Sequence, residues 1–293
     1  MAAKPNDIPA LPKCKCKSDI PAHVTLCIVC GANVGYPNVR YAERPEEKAA
    51  LERRLTEARI SAVAKGSSER LAAFGQAVSA SKAVICKPLG DLDSMVKGDG
   101  QLMQAYHPAV RAQLRMPQNN EFDAVREAND ARINPHYYQK LHFGALSLDG
   151  RGVPHYGDFA ITMRDAMTAS RATVFEENPL KFNEAHPLGR NKPVPYGFRA
   201  VWSDRQKLAM AKLHAKIQPV TKDEEFPDIL MEKTEAPDGY TDFVEVHIYG
   251  ELHPKAFEHI CAVVPTDELD NLLWERVKAR LGHFEITYEE EPS

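Results

Sequence analysis

Long apolar runs are missing from this chain: no stretch of about 18 hydrophobic residues occurs, so no membrane-spanning helix and no membrane partner are expected. The opening residues, MAAKPNDIPALPKC, lack the charged and apolar regions of a secretory signal, and a cytoplasmic protein is the expectation. Excess positive charge is missing too. With 37 Lys and Arg against 41 Asp and Glu the net charge is -4, which excludes a generally basic nucleic-acid coat and leaves only a local patch for such a partner. No GxGxxG follows a strand and opens a helix, and neither a phosphate-binding GxxxxGKS/T, a GxSxG nor an HExxH occurs. Dehydrogenase, P-loop and zinc-protease readings therefore lack their motifs. There is no internal repeat and no low-complexity tract.

What is present is an ordinary globular composition, 43% hydrophobic and 27% charged, in 293 residues, enough for two folded units. Cysteine is scarce but unevenly placed: of six, four fall in Cys14-x-Cys16 and Cys27-x-x-Cys30-Gly31. Two short cysteine pairs joined by a hairpin can give four thiolates to a tetrahedral zinc ion, and a closed site of this kind is structural. Disulfides are disfavoured in a reducing cytosol, and free core thiols have no need of paired spacing. His23 is a reserve ligand. Lys13, Lys15 and Lys17 alternate with the first pair, where they meet phosphates, an acidic partner or only water. Cys86 and Cys261 stand alone and read as small buried hydrophobes.

Three segments follow from the texture of the chain: a zinc ribbon over 1–40, a helical connector over 41–135 and an α+β domain over 136–293. In the connector a helix is expected from Pro45 to a stop at Gly66, with Leu51, Leu55, Ile60 and Val63 on its apolar face; a second carries Leu71, Phe74 and Val78. Residues 87–135 read as loops with short helices, broken at Pro88-Leu89-Gly90, Gly98-Asp99-Gly100 and Pro117–Asn120. From Tyr137 onward LHFGALSL, YGDFAITM, RATVF, FVEVHIYG, AVV and HFEITY are strand candidates. A helix capped by Ser203 and another bearing Leu269, Leu272, Leu273 and Val277 on one face pack against them.

In the strand candidate Phe243–Gly250, alternation places Val244, Val246 and Ile248 on one face and Glu245, His247 and Tyr249 on the other. A polar row of this kind is costly to bury without purpose, yet a solvated outer sheet face shows the same pattern. LHFGALSL with His142, YGDFAITMRDAMTASRATVFEENPL and FVEVHIYGEL together resemble the strands of the ADP-ribosyltransferase fold, in which NAD lies in a cleft between two small antiparallel sheets. The resemblance covers roughly residues 137–265. It implies that Glu245 is the catalytic glutamate, which holds the nicotinamide ribose and stabilises the oxocarbenium-like transition state. It implies further that His142, Tyr156, Arg171 and Thr173 contact NAD, Tyr156 by stacking and Arg171 through the pyrophosphate. His247, on the same face as Glu245, is the candidate general base.

Members of that family that modify arginine carry Glu or Gln two residues before the catalytic glutamate, where this chain has Phe243, and that sets arginine aside as acceptor. The expected function is thus NAD-dependent mono-ADP-ribosyl transfer to a cytosolic macromolecule, RNA, DNA or protein, by a toxin-like or defence effector restrained by a neutralising protein. The alternative is a non-catalytic zinc-ribbon adaptor that binds nucleic acid or protein.

Overall fold

The computed structural model describes residues 12–112, 120–186, 194–233 and 241–292. Ahead of the first helix lies the cysteine segment, folded by the isolated bridges Lys13↔Asp19 and Leu26↔Asn33 around a small cluster of Cys14, Ile20 and Cys27. Helices α1 (Pro37–Ala42), α2 (Pro45–Lys65) and α3 (Ser68–Ser79) follow, then strand β1 (Lys82–Lys87), α4 (Leu89–Met95), α5 (Tyr106–Arg111) and α6 (Asn120–Ile133). The second half gives β2 (Leu141–Ser147), β3 (Phe159–Met163), α7 (Asp165–Thr168), β4 (Ala172–Phe175), α8 (Pro179–Ala185), β5 (Arg199–Val201) and α9 (Arg205–Leu213). It closes with α10 (Phe226–Leu230), β6 (Met231–Lys233), β7 (Thr241–Phe243), β8 (Glu245–Tyr249), β9 (Phe257–Val263), α11 (Glu268–Leu281) and β10 (Thr287–Glu291). The class is α+β as expected. Among the described residues no helix is long and apolar enough to cross a membrane.

Eight strands form one sheet in the order β10-β9-β3-β1-β2-β8-β4-β5, antiparallel throughout except for the parallel pair β9–β10, while β6 and β7 form a separate hairpin. Strand β1 lies in the segment expected to be a helical connector, yet it sits at the middle of the sheet between β3 and β2. Its run Ala83-Val84-Ile85-Cys86 was masked in the sequence by the helical pattern running up to it. One apolar cluster runs from Leu51 and Phe74 through Ile85, Val174 and Val246 to Trp274 and Ile286, so the helices of 45–79 share a core with the later strands.

Two helix faces differ from the expectation. In α2 the buried side is Leu51, Leu55, Ala58 and Ala62, whereas Ile60 and Val63 are 64% and 70% exposed. In α11 it is Trp274, Val277 and Leu281, whereas Leu269 and Leu272 face outward. Small alanines in α2 let the helix lie close to α9, and in α11 the single Trp274 fills the volume that several leucines were expected to fill. Helix α11 is capped by Asp267, whose carboxylate accepts the N–H groups of Leu269 and Asp270. Ser203 lies in a short 3₁₀ turn ahead of α9 and makes no side-chain cap. The last strand begins at Thr287, beyond the HFEI of its expected run. The Pro117–Asn119 part of an expected break lies outside the described residues.

All five residues of β8 are buried. Val246 and Ile248 belong to the main core, and the opposite face, which a solvated-sheet reading leaves to water, is covered by α1, α5 and α6. Asn38 of α1 donates to the carbonyls of Arg171 (2.9 Å) and His247 (3.2 Å) and so clamps β4 to β8 from above. Arg40 of the same helix points the other way and donates to the carbonyls of Pro21, Ala22, Val34 and Gly35. One short helix therefore pins the cysteine segment to the sheet.

Candidate active site and metal centre

Strands β1 and β2 are paired only over Lys82–Val84 with Ser147–Ala145. Beyond that, β1 stays with β3 as far as Lys87 and β2 stays with β8 as far as Leu141, so the sheet parts into two four-stranded halves. The hinge of the parting is Gly144. A Cβ there would come within 2.6 Å of the Val84 carbonyl oxygen, so only glycine lets the two strands cross this closely. In the parting lies a cavity of about 60 Å³ whose walls include Lys87, Tyr106, Arg126, His142, Tyr156 and Glu245. A second cavity of about 330 Å³ shares Lys87, Met103, Gln104 and Tyr106 with it.

Glu245 opens β8 and is 2% exposed. Its Oε2 lies 3.1 Å from His247 Nε2, and His247 Nδ1 lies 3.3 Å from the amide nitrogen of Asn134. An amide nitrogen can only donate, so Nδ1 accepts and Nε2–H donates to Glu245: the imidazole is neutral with both nitrogens engaged. Burial pushes His247 down to about 3, in agreement with that state. Phe175 stacks on the ring and Phe143 meets it edge-on, which fixes its plane. Burial and the carboxylate of Asp130 push Glu245 well above the usual carboxylate range, and Arg126 opposes them.

Helix α6 supplies the rest. Its Arg126 and Asp130 are one turn apart, with Asn134 one turn further just past its end, so all three face the sheet. Asp130 Oδ2 lies 2.8 Å from His107 Nε2 and 3.5 Å from Arg126 Nε. The Arg126 guanidinium is packed over the rings of Tyr106 (4.5 Å), Phe143 (5.3 Å) and Tyr156 (5.7 Å). Burial works against its charge, but Asp130, Tyr156 and Glu245 outweigh burial and hold it firmly ionised. His107, Arg126, Asp130 and Asn134 were not found in the sequence. The available signal was the polar spacing of four in VREANDARIN, which marks an inward stripe as readily as an outward one.

The expected site residues separate into two groups. Glu245, His142 and Tyr156 meet at the small cavity, although His142 pairs with Ile248 and thus stands on the opposite sheet face from Glu245, reaching the cavity through the parting. Burial, then Lys87 and Arg171, push His142 down to about 3, so it is a neutral ring. Tyr156 lies in a 3₁₀ turn before β3, and its hydroxyl accepts from Asn178 at 3.3 Å. Arg171 and Thr173 are not among the cavity's lining residues. The guanidinium of Arg171 is spent on the carbonyls of Met167, Tyr249 and Glu251, and the Thr173 hydroxyl is buried under Asn38. Arg171 therefore staples the ends of β4 and β8 and offers no fork to a ligand.

The four clustered cysteines are brought together. One ligand atom from each of Cys14, Cys16, Cys27 and Cys30 lies within 4.8 Å of all the others, with Cys14–Cys30 and Cys16–Cys27 both at 3.6 Å. Zinc–sulfur bonds of about 2.3 Å in a tetrahedron put sulfurs about 3.8 Å apart, so the cluster fits that ion. Gly31, at φ 71°, turns the second knuckle back in the left-handed region. His23 is not part of the cluster; its carbonyl accepts from the Tyr249 hydroxyl at 3.4 Å, a second tie between this segment and β8. Lys13 pairs with Asp19 at 2.6 Å, and Lys15 and Lys17 are exposed. Comparison with protein-family models matches no family, and comparison with curated proteins finds no relative.

Proposed function

We propose that this chain is an NAD-dependent mono-ADP-ribosyltransferase acting on a cytosolic macromolecule, nucleic acid or protein, in the manner of a toxin-like or defence effector. The observation that carries the reading is Glu245, a buried carboxylate at the first residue of its strand, facing a cavity in a seam between two half-sheets. The resembled fold holds NAD in a seam of that kind. In the reaction the bond from nicotinamide to ribose breaks, its electron pair leaves on nicotinamide, and positive charge grows on the ribose ring. The acceptor then bonds to that carbon and gives up a proton to solvent. Glu245 faces the developing charge, held in place by His247 Nε2–H. A carboxylate whose pKa is raised by burial is drawn back to its ionised form by a cationic ligand, so binding itself prepares the group.

His247, with both nitrogens committed, is a positioning residue in this reading and not the general base. Lys87 lines both cavities and takes the place along the dinucleotide that the resemblance implies for Arg171. The small cavity is far below the ~300–1,000 Å³ of typical ligand pockets, so Tyr106 and Arg126 must draw aside and the larger cavity must join it. The four cysteines hold a structural zinc, and the ribbon with its lysines recruits the acceptor, RNA or DNA before protein. A neutralising protein partner belongs to the same reading. The adaptor alternative is favoured by one observation, the engagement of Arg171 and Thr173 away from the cavity.

The test is incubation with labelled NAD and separate RNA, DNA and protein pools. Wild type should label one pool, and Glu245→Gln should lower turnover by about two to three powers of ten with NAD binding retained. The amide should leave stability within about half a kcal/mol, because it mimics the protonated carboxyl that burial favours. Glu251→Gln should behave as wild type. No label in any pool, together with no thermal shift at NAD concentrations well above millimolar, would overturn the transferase reading and put the adaptor first.

A further inference from the structure

We propose a second metal site, formed by His259, Cys261 and Glu289 at the β9–β10 edge of the sheet and selective for zinc. In β9 alternate side chains share a face, so His259 and Cys261 project together. The parallel register of β10 then sets Thr287 beside His259 and Glu289 beside Cys261. One ligand atom from each of His259, Cys261 and Glu289 lies within 4.8 Å of the other two. Cys261 Sγ is 2.9 Å from Glu289 Oε1, and His259 Nε2 is 4.0 Å from Glu289 Oε2.

The orientation of His259 is what separates this cluster from a chance meeting of side chains. The Thr287 hydroxyl donates to the Glu258 carbonyl at 3.3 Å, so its oxygen accepts the proton of His259 Nδ1 at 2.7 Å. That bond selects the tautomer with Nδ1–H and leaves the Nε2 lone pair directed at Cys261 and Glu289. A second hydrogen bond that fixes ring and tautomer is the usual support of a metal-ligating histidine. One nitrogen, one sulfur and one oxygen suit zinc better than the hard cations, which favour all-oxygen sets.

Zinc would replace the proton that Cys261 now directs at Glu289, releasing it to solvent, and the thiolate and carboxylate would balance the ion's two charges. Three protein ligands leave the fourth position to water. Glu289 is exposed, so that water comes from solvent. The site is independent of both the cysteine ribbon and the transferase reading.

The experiment is to load purified full-length protein with Zn²⁺ alone, desalt it and count bound zinc. His259→Ala and Glu289→Gln, both at partly exposed positions, should each carry one zinc per chain fewer than wild type. The Cys27→Ser, Cys30→Ser double variant should keep the zinc that those two lose. Thr287→Val should keep the ion but yield it to a chromophoric chelator at about 10–100-fold lower affinity. Cys261→Ser in a variant with Cys14, Cys16, Cys27 and Cys30 all replaced by serine, loaded with Co²⁺, should abolish the remaining thiolate charge-transfer band. Unchanged zinc in His259→Ala and Glu289→Gln, with melting profiles like wild type, overturns the site.

Discussion

The cysteine ribbon and the parted sheet both crowd groups that repel or desolvate one another, and they hold them by opposite means. Among the described residues the ribbon's apolar cluster has three buried members, Cys14, Ile20 and Cys27, and its four sulfurs come from residues 14–30. So small a core orders a segment weakly, and a metal ion held by the four sulfurs would supply what apolar burial does not. At the sheet, His107, Arg126 and Asp130 come from the neighbouring helices α5 and α6 and Glu245 and His247 from β8, far along the chain, and the large core beneath β8 holds them. Buried charge there is tolerated because each group is matched: Arg126 against Asp130 and Glu245, His107 against Asp130, and His247 between Glu245 and Asn134. Local spacing gathers the four sulfurs of one region, and long-range packing with charge matching builds the other.

The largest expected effect breaks the first half of that contrast. Cys27→Ser with Cys30→Ser should remove the ribbon's metal and unfold residues before α1, since structural zinc contributes on the order of 10 kcal/mol to such segments. Cooperative melting of the remainder should persist, because the ribbon cluster is separate from the main core; loss of that transition by circular dichroism would show the two regions to be one unit. Next in size is acid. His142 and His247 are held neutral near 3 in the fold against 6.5 when free, so the unfolded chain binds more protons across that window. Their contribution is full above about pH 6.5 and is lost as pH falls toward 3, on the order of 4 kcal/mol for each. Denaturant titrations at pH 7 and 4.5 should show stability falling with pH, and a flat profile would contradict buried neutral rings.

Smaller is the effect of Arg126→Met, which leaves an apolar side chain at this position but removes the cation that lies over three aromatic rings. It should cost about 3–5 kcal/mol, the usual result of leaving a buried charge unpaired, and adding Asp130→Asn should recover part of the loss. Additive losses would show that the two side chains are not coupled. At the edge of detection, Lys13→Ala should change stability by less than about half a kcal/mol, because its pair with Asp19 is exposed on both sides.

Some of this was legible in the chain before any fold was known. The paired cysteines carry their own geometry, because a ligand set within one hairpin depends only on local spacing. The period-two run Glu245–Tyr249 likewise placed a carboxylate, an imidazole and a phenol on one face. Periodicity could not say whether that face met water or helix, since a solvated and a covered sheet face alternate alike. Nor could it show α6, since residues 87–135 read as loops with short helices and the spacing of Arg126, Asp130 and Asn134 does not say what they face.

The sequence by itself determined the class, the zinc-type cluster and the alternation of β8, all consequences of neighbours within a few residues. Tertiary structure decided that β1 joins the middle of the sheet, that it parts from β2 beyond Gly144, and that Arg171 is consumed by backbone carbonyls. It also set His142 and Glu245 on opposite faces of one opening. These depend on which strand lies beside which, and strand neighbours are chosen by the burial of a whole core. No single stretch of residues encodes that choice.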